Sequence, residues 1–577
     1  MDTSTELITS KSLLPIDSHL KISAGPGAGK TTLLANHVIE VIKNSEKISE
    51  LRRVACITYT NIAAETLKRR LGLSLDYVEI GTIHNFLYKH IVKPYLWILS
   101  EDYTFDFEKI KGHDDIIPSY SILSEWATVT KQFNLINSEN LNETSQKIQK
   151  ITWKLDTNEN PILCFPEVWQ GKVGKYSIKK NSLMDYKKIC WAKGMIHHDD
   201  VIFLSLKILE KNCRIVDIIR AKFPYIMIDE FQDTSSIQNN IMKQIADKET
   251  IVGVIGDECQ SIYEFAGANV EEFINFDIND LRQYKMEENN RSTVEIINLL
   301  NHVSRDASLK QFSPKEKRGE KPTLFIGNMH TAYQQAKSVV LDSPLLVLTY
   351  RKDNPNQLKY GVEDVDSEEL KLSLLFEDDD RGRKLYYVIQ SIEYGKEGRF
   401  KEAISSMLKA YRKEKEFTDR DSLKNLQRLI NNYSAIQSLS LLEFYNKFIF
   451  GFFYTQKKIT RGKKKDFYSN ILYRDIACTV DLNETRSLFR TIHKSKGDEE
   501  QNVMLVIDNK DNFNEEKELQ FLLDPAINDN EDHRVYFVAI SRAKENLFIN
   551  IPALSEKNSI KLEKLDIFNI VYRSEER

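Results

Sequence analysis

Ala24-Gly25-Pro26-Gly27-Ala28-Gly29-Lys30-Thr31-Thr32 reads as a phosphate-binding loop. Far downstream, Ile226-Met227-Ile228-Asp229-Glu230-Phe231-Gln232-Asp233 runs an apolar strand into paired carboxylates. Glycines at 25, 27 and 29, with the small Ala28 between them, let the backbone curl until successive N–H groups face a β-phosphate at a helix N-terminus. Lys30 then reaches the β- and γ-phosphates, Thr31 ligates Mg²⁺, and Thr32 completes the nucleotide-binding set. Ala24 stands where the usual G-x-x-x-x-G-K-[ST] pattern opens with glycine, and the residues after it still supply the turn. At the end of the second stretch, Asp229 is expected to hold Mg²⁺ through water and Glu230 to polarise the attacking water. The pair implies an NTP-driven motor on a parallel sheet.

Short β-branched runs alternate with helical periodicity through the chain. Val54 to Thr58, Tyr225 to Ile228 and Ile251 to Ile255 read as interior parallel strands of one half, Leu345 to Thr349 and Val503 to Ile507 as those of another. Two insertions interrupt the pattern. Residues 90–220 are helix-rich with scattered aromatics, while residues 352–486 carry an acidic stretch, Glu377 to Asp380, and later a basic loop, Lys457 to Lys465. The expected fold class is α/β with two parallel-sheet cores, each holding a largely helical inserted domain.

Composition narrows the partners. With 577 residues, 41% hydrophobic and 29% charged, the chain has the make-up of an ordinary folded protein of several domains. A formal net charge of −4 restricts any nucleic-acid track to a local groove. The six cysteines form no C-x-x-C pair, which argues against a zinc or iron–sulfur module and fits a reducing compartment. No run of 18 apolar residues and no basic-then-apolar start is present, so a cytoplasmic protein without membrane partners is expected.

Further motifs fall in order. Thr58-Tyr59-Thr60-Asn61-Ile62-Ala63-Ala64-Glu65, Gly81-Thr82-Ile83-His84-Asn85-Phe86, Gly194-Met195-Ile196-His197-His198-Asp199-Asp200 and Gly256-Asp257-Glu258-Cys259-Gln260-Ser261-Ile262-Tyr263-Glu264-Phe265 lie in the first half. Glu288-Asn289-Asn290-Arg291-Ser292-Thr293, Thr491-Ile492-His493-Lys494-Ser495-Lys496-Gly497-Asp498-Glu499 and Val538-Ala539-Ile540-Ser541-Arg542-Ala543-Lys544 follow. With the phosphate loop and the acidic motif, this series resembles the UvrD/Rep-like superfamily 1 helicases and translocases over most of the chain. The resemblance extends to the helicase-like component of some bacterial antiphage systems.

It implies two RecA-like motor domains: residues 1–89 with 221–286, and 287–351 with 487–577. Residues 90–220 and 352–486 are their insertions. It also implies that Gln260 senses the γ-phosphate, that Arg291 and Arg542 are arginine fingers, and that Glu499 meets the nucleotide sugar. Tyr59, Thr60, Asn61, His84, Phe86, Tyr263, Phe265 and His493 become the nucleic-acid candidates. Aromatic faces among them would accept any base without reading sequence. The implied substrates are ATP, with other NTPs as alternatives, and single-stranded DNA or single/double-strand junctions; Mg²⁺ is the implied cofactor.

Departures from that family pattern are specific. No glutamine precedes the phosphate loop to read adenine, Asn290 replaces a stacking tyrosine, and Thr32 replaces a basic residue. Ala266 stands where the family has arginine, and Asp498 where it has an apolar residue. Weak adenine selectivity follows. The leading expectation is an ATP-dependent single-stranded DNA translocase or helicase moving 3′ to 5′, in DNA repair or antiphage defence. A DNA-stimulated ATPase serving as sensor or regulatory subunit of a separate nuclease is the first alternative. A non-catalytic nucleic-acid-binding scaffold is the second.

Overall fold

The computed structural model describes residues 5–572 apart from 60, 115, 117, 138, 166–170, 248, 351–352, 363–369, 372, 376–380, 415, 453–457, 481–486 and 508–512. Contacts divide the chain into two compact units, Met1–Gly319 with Gln520–Ser541 and Glu320–Leu519 with Arg542–Arg577.

In the first unit a seven-stranded, all-parallel sheet runs in the order Glu6–Leu7, Leu281–Met286, His19–Ala24, Ile251–Gly256, Tyr225–Ile228, Val54–Thr58, Val78–Thr82. The strands Val54–Thr58, Tyr225–Ile228 and Ile251–Gly256 are buried along their whole length. Helices cover both faces of such a sheet, which is why the strands read as continuous apolar runs. Because the strands are parallel, the carboxyl ends of His19–Ala24, Tyr225–Ile228 and Ile251–Gly256 share one edge. Ligands of open α/β sheets bind at that edge.

The insertion in this unit carries the helices Tyr120–Thr130, Leu141–Gln149, Ser182–Ala192 and Asp200–Lys211 and two short hairpins, around a core containing Trp126 and Tyr186. Asp200 is fully buried. Its carboxylate lies 2.7 Å from the Lys187 ammonium and accepts the indole N–H of Trp153 at 3.0 Å and of Trp191 at 2.8 Å. Charge pairing with several hydrogen bonds is the condition under which a buried carboxylate is tolerated.

A six-stranded parallel sheet builds the second unit, in the order Phe489–Thr491, Leu345–Thr349, Glu500–Val506, Ala543–Ile551, Thr323–Ile326, Asn569–Tyr572. Its insertion is helical among the described residues. Arg381–Lys396, Phe400–Ala410 and Asp419–Asn431 surround a core with Leu385, Ile389, Leu429 and Phe444. The acidic stretch Glu377 to Asp380 lies outside the described residues, as does Lys457. From Lys463 the expected basic loop is a helix, Lys463–Asn470, started by Gly462. No helix among the described residues is long and apolar enough to cross a membrane.

Residues 287–319 and 520–541, assigned from sequence to the second core, pack in the first unit. The cause is local bonding. The Asn290 amide donates to Gly27 O at 3.0 Å, helix Val294–Val303 packs on helix Glu531–Ile540, and the amides of Ile527 and Asn528 donate to the Asp306 carboxylate.

Candidate nucleotide site and nucleic-acid face

Between strand His19–Ala24 and helix Lys30–Asn44 the loop turns on Gly27 (φ 72°) and Gly29 (φ 90°), left-handed values that a Cβ resists. Space is as strict as conformation at Gly27. A Cβ there would stand 2.5 Å from Asn289 Oδ1 and 2.8 Å from Arg291 Cβ. Arg291 therefore lies against the phosphate loop, and its Nη1 donates to Ser541 O at 2.8 Å. Gln311 closes the other side of the loop. Its side-chain amide donates to Pro26 O at 3.2 Å and its Oε1 accepts from Asn289 at 3.2 Å.

Lys30 Nζ lies at the centre, donating to Ala24 O at 3.0 Å and standing 3.9 Å from Asp257 Oδ2. Asp257 follows strand Ile251–Gly256 and is buried. Burial, with the nearby Glu230 and Glu258 carboxylates, holds its carboxyl above the usual range against the pull of Lys30 and of a hydrogen bond from Gln260. Gln260, also buried, donates to the Asp257 carboxylate that faces the loop lysine.

Asp229 and Glu230 follow strand Tyr225–Ile228. Asp229 is buried, its amide donating to Ile57 O at 2.9 Å and its Oδ1 accepting the Glu230 amide at 3.0 Å. Glu230 adopts a left-handed backbone (φ 55°, ψ 41°), an unfavourable conformation for a side-chain-bearing residue and one that clusters at functional sites. Gln232, wholly buried, locks this turn to the next strand. Its amide donates to Glu230 Oε2 while its Oε1 accepts the Asp257 amide at 3.0 Å. Gln232 and Asp257 lie within the motifs without a local mark of these bonds. Their signal was position, one within the acidic motif and the other immediately after a strand. Thr31 and Asp229 offer hard oxygen donors of the kind Mg²⁺ prefers, one at a helix start and one at a strand end, so the residues fit that ion.

Thr32 sits in the first turn of Lys30–Asn44, where its hydroxyl accepts from the Arg70 guanidinium, which arrives from helix Asn61–Leu71. A basic group thus approaches the place where Thr32 lacks one. Nearby, Asn36 donates to Ser10 O at 3.3 Å, and Ser10 packs so closely on Gly29 that a Cβ at Gly29 would stand 2.8 Å from its own.

The nucleic-acid candidates divide. Tyr59 and Tyr263 stack with ring centroids 5.0 Å apart, Tyr263 also meets Phe265, and Phe265 is 59% exposed. Burial and the Asp233 carboxylate push the Tyr59 hydroxyl well above its ordinary value, so it acts as a neutral group. Thr60 lies outside the described residues, and Asn61 opens the helix Asn61–Leu71. Phe86 corrects the sequence reading. It is a core residue, packed on Phe223 and His90, because it falls on the inner side of the short helix Ile83–Leu87. His84, from the same helix, stacks on His198 at 3.8 Å, and burial with two neighbouring imidazoles holds it well below the ordinary histidine value.

In the second unit, Arg542 is buried and its Nη1 donates to Asp498 O at 3.2 Å. The unexpected Asp498 has a physical account. Its carboxylate pairs with Arg490 at 2.8 Å, and although burial pushes its pKa up, both Arg490 and Arg542 favour its charged form. Glu499 pairs with Lys544 at 2.8 Å, and His493 is half-buried, edge-on to Tyr350.

A parallel sheet with a glycine-rich loop, strand-end carboxylates and a buried glutamine, Gln260, along one edge defines a protein of the α/β class with a P-loop. Residues 7–280, just under half of the chain, match the model of the UvrD/REP helicase N-terminal domain. Among similar proteins, ATP-dependent DNA helicase PcrA of Bacillus subtilis is 27% identical over 300 residues, 51% of this chain and 38% of its own length. Gabija protein GajB of Bacillus cereus is 28% identical over 338 residues, 50% of this chain and 47% of its own. ATP-dependent DNA helicase Rep of Buchnera aphidicola is 27% identical over 290 residues, 49% of this chain and 42% of its own. The chain thus spans less than half the length of each.

Proposed function

We propose that this chain is an ATP-dependent motor that translocates 3′ to 5′ on single-stranded DNA and separates strands at junctions. The observation that carries the reading is Lys30 and Arg291 at one glycine loop, with Gln260 and Glu230 tied to Lys30 through Asp257 and Gln232, and with Tyr263 and Phe265 only a few residues beyond Gln260. Lys30 and the loop amides bind the phosphates, and Gln260 registers the γ-phosphate through Asp257. Glu230, oriented by Gln232, takes the proton of the attacking water. Arg291 stabilises charge on the transferred group. Arg542 stays in the proposal as the second arginine on the strength of its sequence motif, and Glu499 as a sugar contact on the same basis. Thr31 and Asp229 would hold Mg²⁺, which when bound neutralises phosphate charge.

The division into motor domains 1–89 with 221–286 and 287–351 with 487–577, and insertions 90–220 and 352–486, is part of the proposal, amended so that residues 287–319 and 520–541 go with the first unit. A strand-displacement assay on a junction with a 3′ single-stranded tail, run beside ATP hydrolysis with and without single-stranded DNA, tests it. Hydrolysis that ignores DNA would overturn it.

A second reading is favoured by the likeness to a Gabija protein, which covers 50% of the chain against 51% for PcrA. In it the chain is a DNA-stimulated ATPase that regulates a separate nuclease in antiphage defence. DNA-stimulated hydrolysis without strand displacement, gained or redirected when a nuclease partner is added, is the result that selects it.

A further inference from the structure

The segment from Asp257 to Phe265 has two ends with different work. At one end Asp257 and Gln260 face Lys30, and at the other Tyr263 stacks on Tyr59 while Phe265 is exposed. Between them the backbone is held from outside by one buried side chain. Arg534, on helix Glu531–Ile540, is 3% exposed. Its Nε donates to Ser261 O at 2.9 Å, Nη2 pairs with the Glu264 carboxylate, and Nη1 donates to Ile527 O and Asn528 O, both at 3.0 Å. Glu531, from the first turn of the same helix, accepts the Glu264 amide at 3.0 Å. At that helix's far end, Ser541 O accepts Arg291 Nη1. One helix therefore grips the strand-facing segment at its start and the phosphate-facing arginine at its end.

Resting on the proposed motor function, we propose that Arg534, with Glu264 as its acceptor, is a positioning residue that couples the Tyr263–Phe265 surface to the phosphate-sensing end of the segment. Ala266 leaves this segment without an arginine of its own, and the guanidinium of Arg534 enters it instead. A planar fork of five donors suits the role. It bonds Ser261, Glu264 and the Ile527–Asn528 turn at once, so displacement of Tyr263 by a bound base shifts a rigid unit. Lysine, a point charge on a flexible stem, cannot keep these bonds together. Ser261 transmits the shift inward, because its hydroxyl donates to Gln232 O at 3.0 Å and the Gln232 side chain holds both Glu230 and the Asp257 amide.

The test compares Arg534→Lys and Glu264→Gln with the unaltered chain. ATP turnover is measured with and without saturating oligodeoxythymidine, oligodeoxythymidine affinity by fluorescence anisotropy, and folding by thermal unfolding. Unstimulated turnover is expected within about twofold and oligonucleotide Kd within about threefold of the unaltered chain. Stimulation by the oligonucleotide is expected to fall at least about tenfold, a loss of some 1.4 kcal/mol of coupling. An unchanged ratio of stimulated to unstimulated turnover overturns the coupling role, and so does a proportional fall in both. Should Arg534→Lys fail to fold, the half-exposed Glu264→Gln decides alone, since it leaves the three carbonyl bonds of Arg534 in place. If the unaltered chain itself shows no stimulation, the motor reading is what fails.

Discussion

Lys30 Nζ stands 3.9 Å from Asp257 Oδ2, so the loop lysine and the carboxylate that accepts from Gln260 form one electrostatic unit. Asp257 has its pKa raised by burial, and its charge favours a correctly held Lys30 and Gln260. The acid limb of kcat is therefore expected above the range of an ordinary aspartate. Asp257→Asn should lower kcat about tenfold and remove that limb. A pH profile of DNA-stimulated hydrolysis from acid to neutral checks both outcomes.

Glu230→Gln is expected to leave nucleotide and single-strand binding largely intact and to cut turnover by at least about 10²-fold, the lower range for losing a general base. Gln232→Ala, which frees Glu230 without removing it, should cost less, about tenfold. Steady-state hydrolysis with saturating single-stranded DNA gives both numbers, and near-unaltered turnover in Glu230→Gln would reassign the base.

Two phenylalanines read alike in sequence and should behave oppositely. Phe265→Ala, at an exposed site, should weaken single-stranded DNA binding by about 1–3 kcal/mol with no change in melting temperature. Phe86→Ala, in the core, should destabilise by about 3–5 kcal/mol. Anisotropy titrations and thermal unfolding of the pair settle the distinction.

Nucleotide choice is expected to be loose, with kcat/KM for ATP and GTP within about tenfold, since a stacking contact and a base hydrogen bond each carry roughly a factor of ten. Arg70 bonds the Thr32 hydroxyl beside the loop, and a guanidinium plane stacks on either purine without choosing between them. Arg70→Ala should raise KM for both nucleotides by about the same few-fold factor. A preference for ATP beyond about a hundredfold would require a base-reading residue elsewhere.

Asp200→Asn leaves the Lys187 ammonium buried without its counter-charge, and should destabilise the first unit by about 3–5 kcal/mol. Burial raises the Asp200 pKa, but the Lys187 charge and the hydrogen bonds more than offset it and the net shift is downward. A carboxyl whose folded value is depressed contributes stability above its unfolded value and loses it as pH falls through the folded one. The stability advantage of the unaltered chain over the variant should accordingly shrink as pH falls through the acid range, as followed by tryptophan fluorescence.

The phosphate loop, Asp229, Glu230 and the parallel strands were legible in the chain because each depends on local chemistry. Glycine at a left-handed turn, lysine at a helix start and carboxylates after an apolar strand are fixed by neighbours a few residues away. Arg291 and Gln260 needed the ordered motif series as well, since neither carries a local mark that separates it from a surface residue. Tertiary structure decided what depends on which side of an element meets the core. It buried Phe86 and exposed Phe265, and it packed residues 287–319 and 520–541 with the first sheet through bonds such as Asn290 to Gly27. It also put the Arg70 guanidinium beside Thr32, and Gln232 between Glu230 and Asp257. The Arg70–Thr32 and Gln232–Asp257 pairings join residues far apart in the chain, through hydrogen bonds that no periodicity encodes. They exist only once the strands that carry them lie side by side.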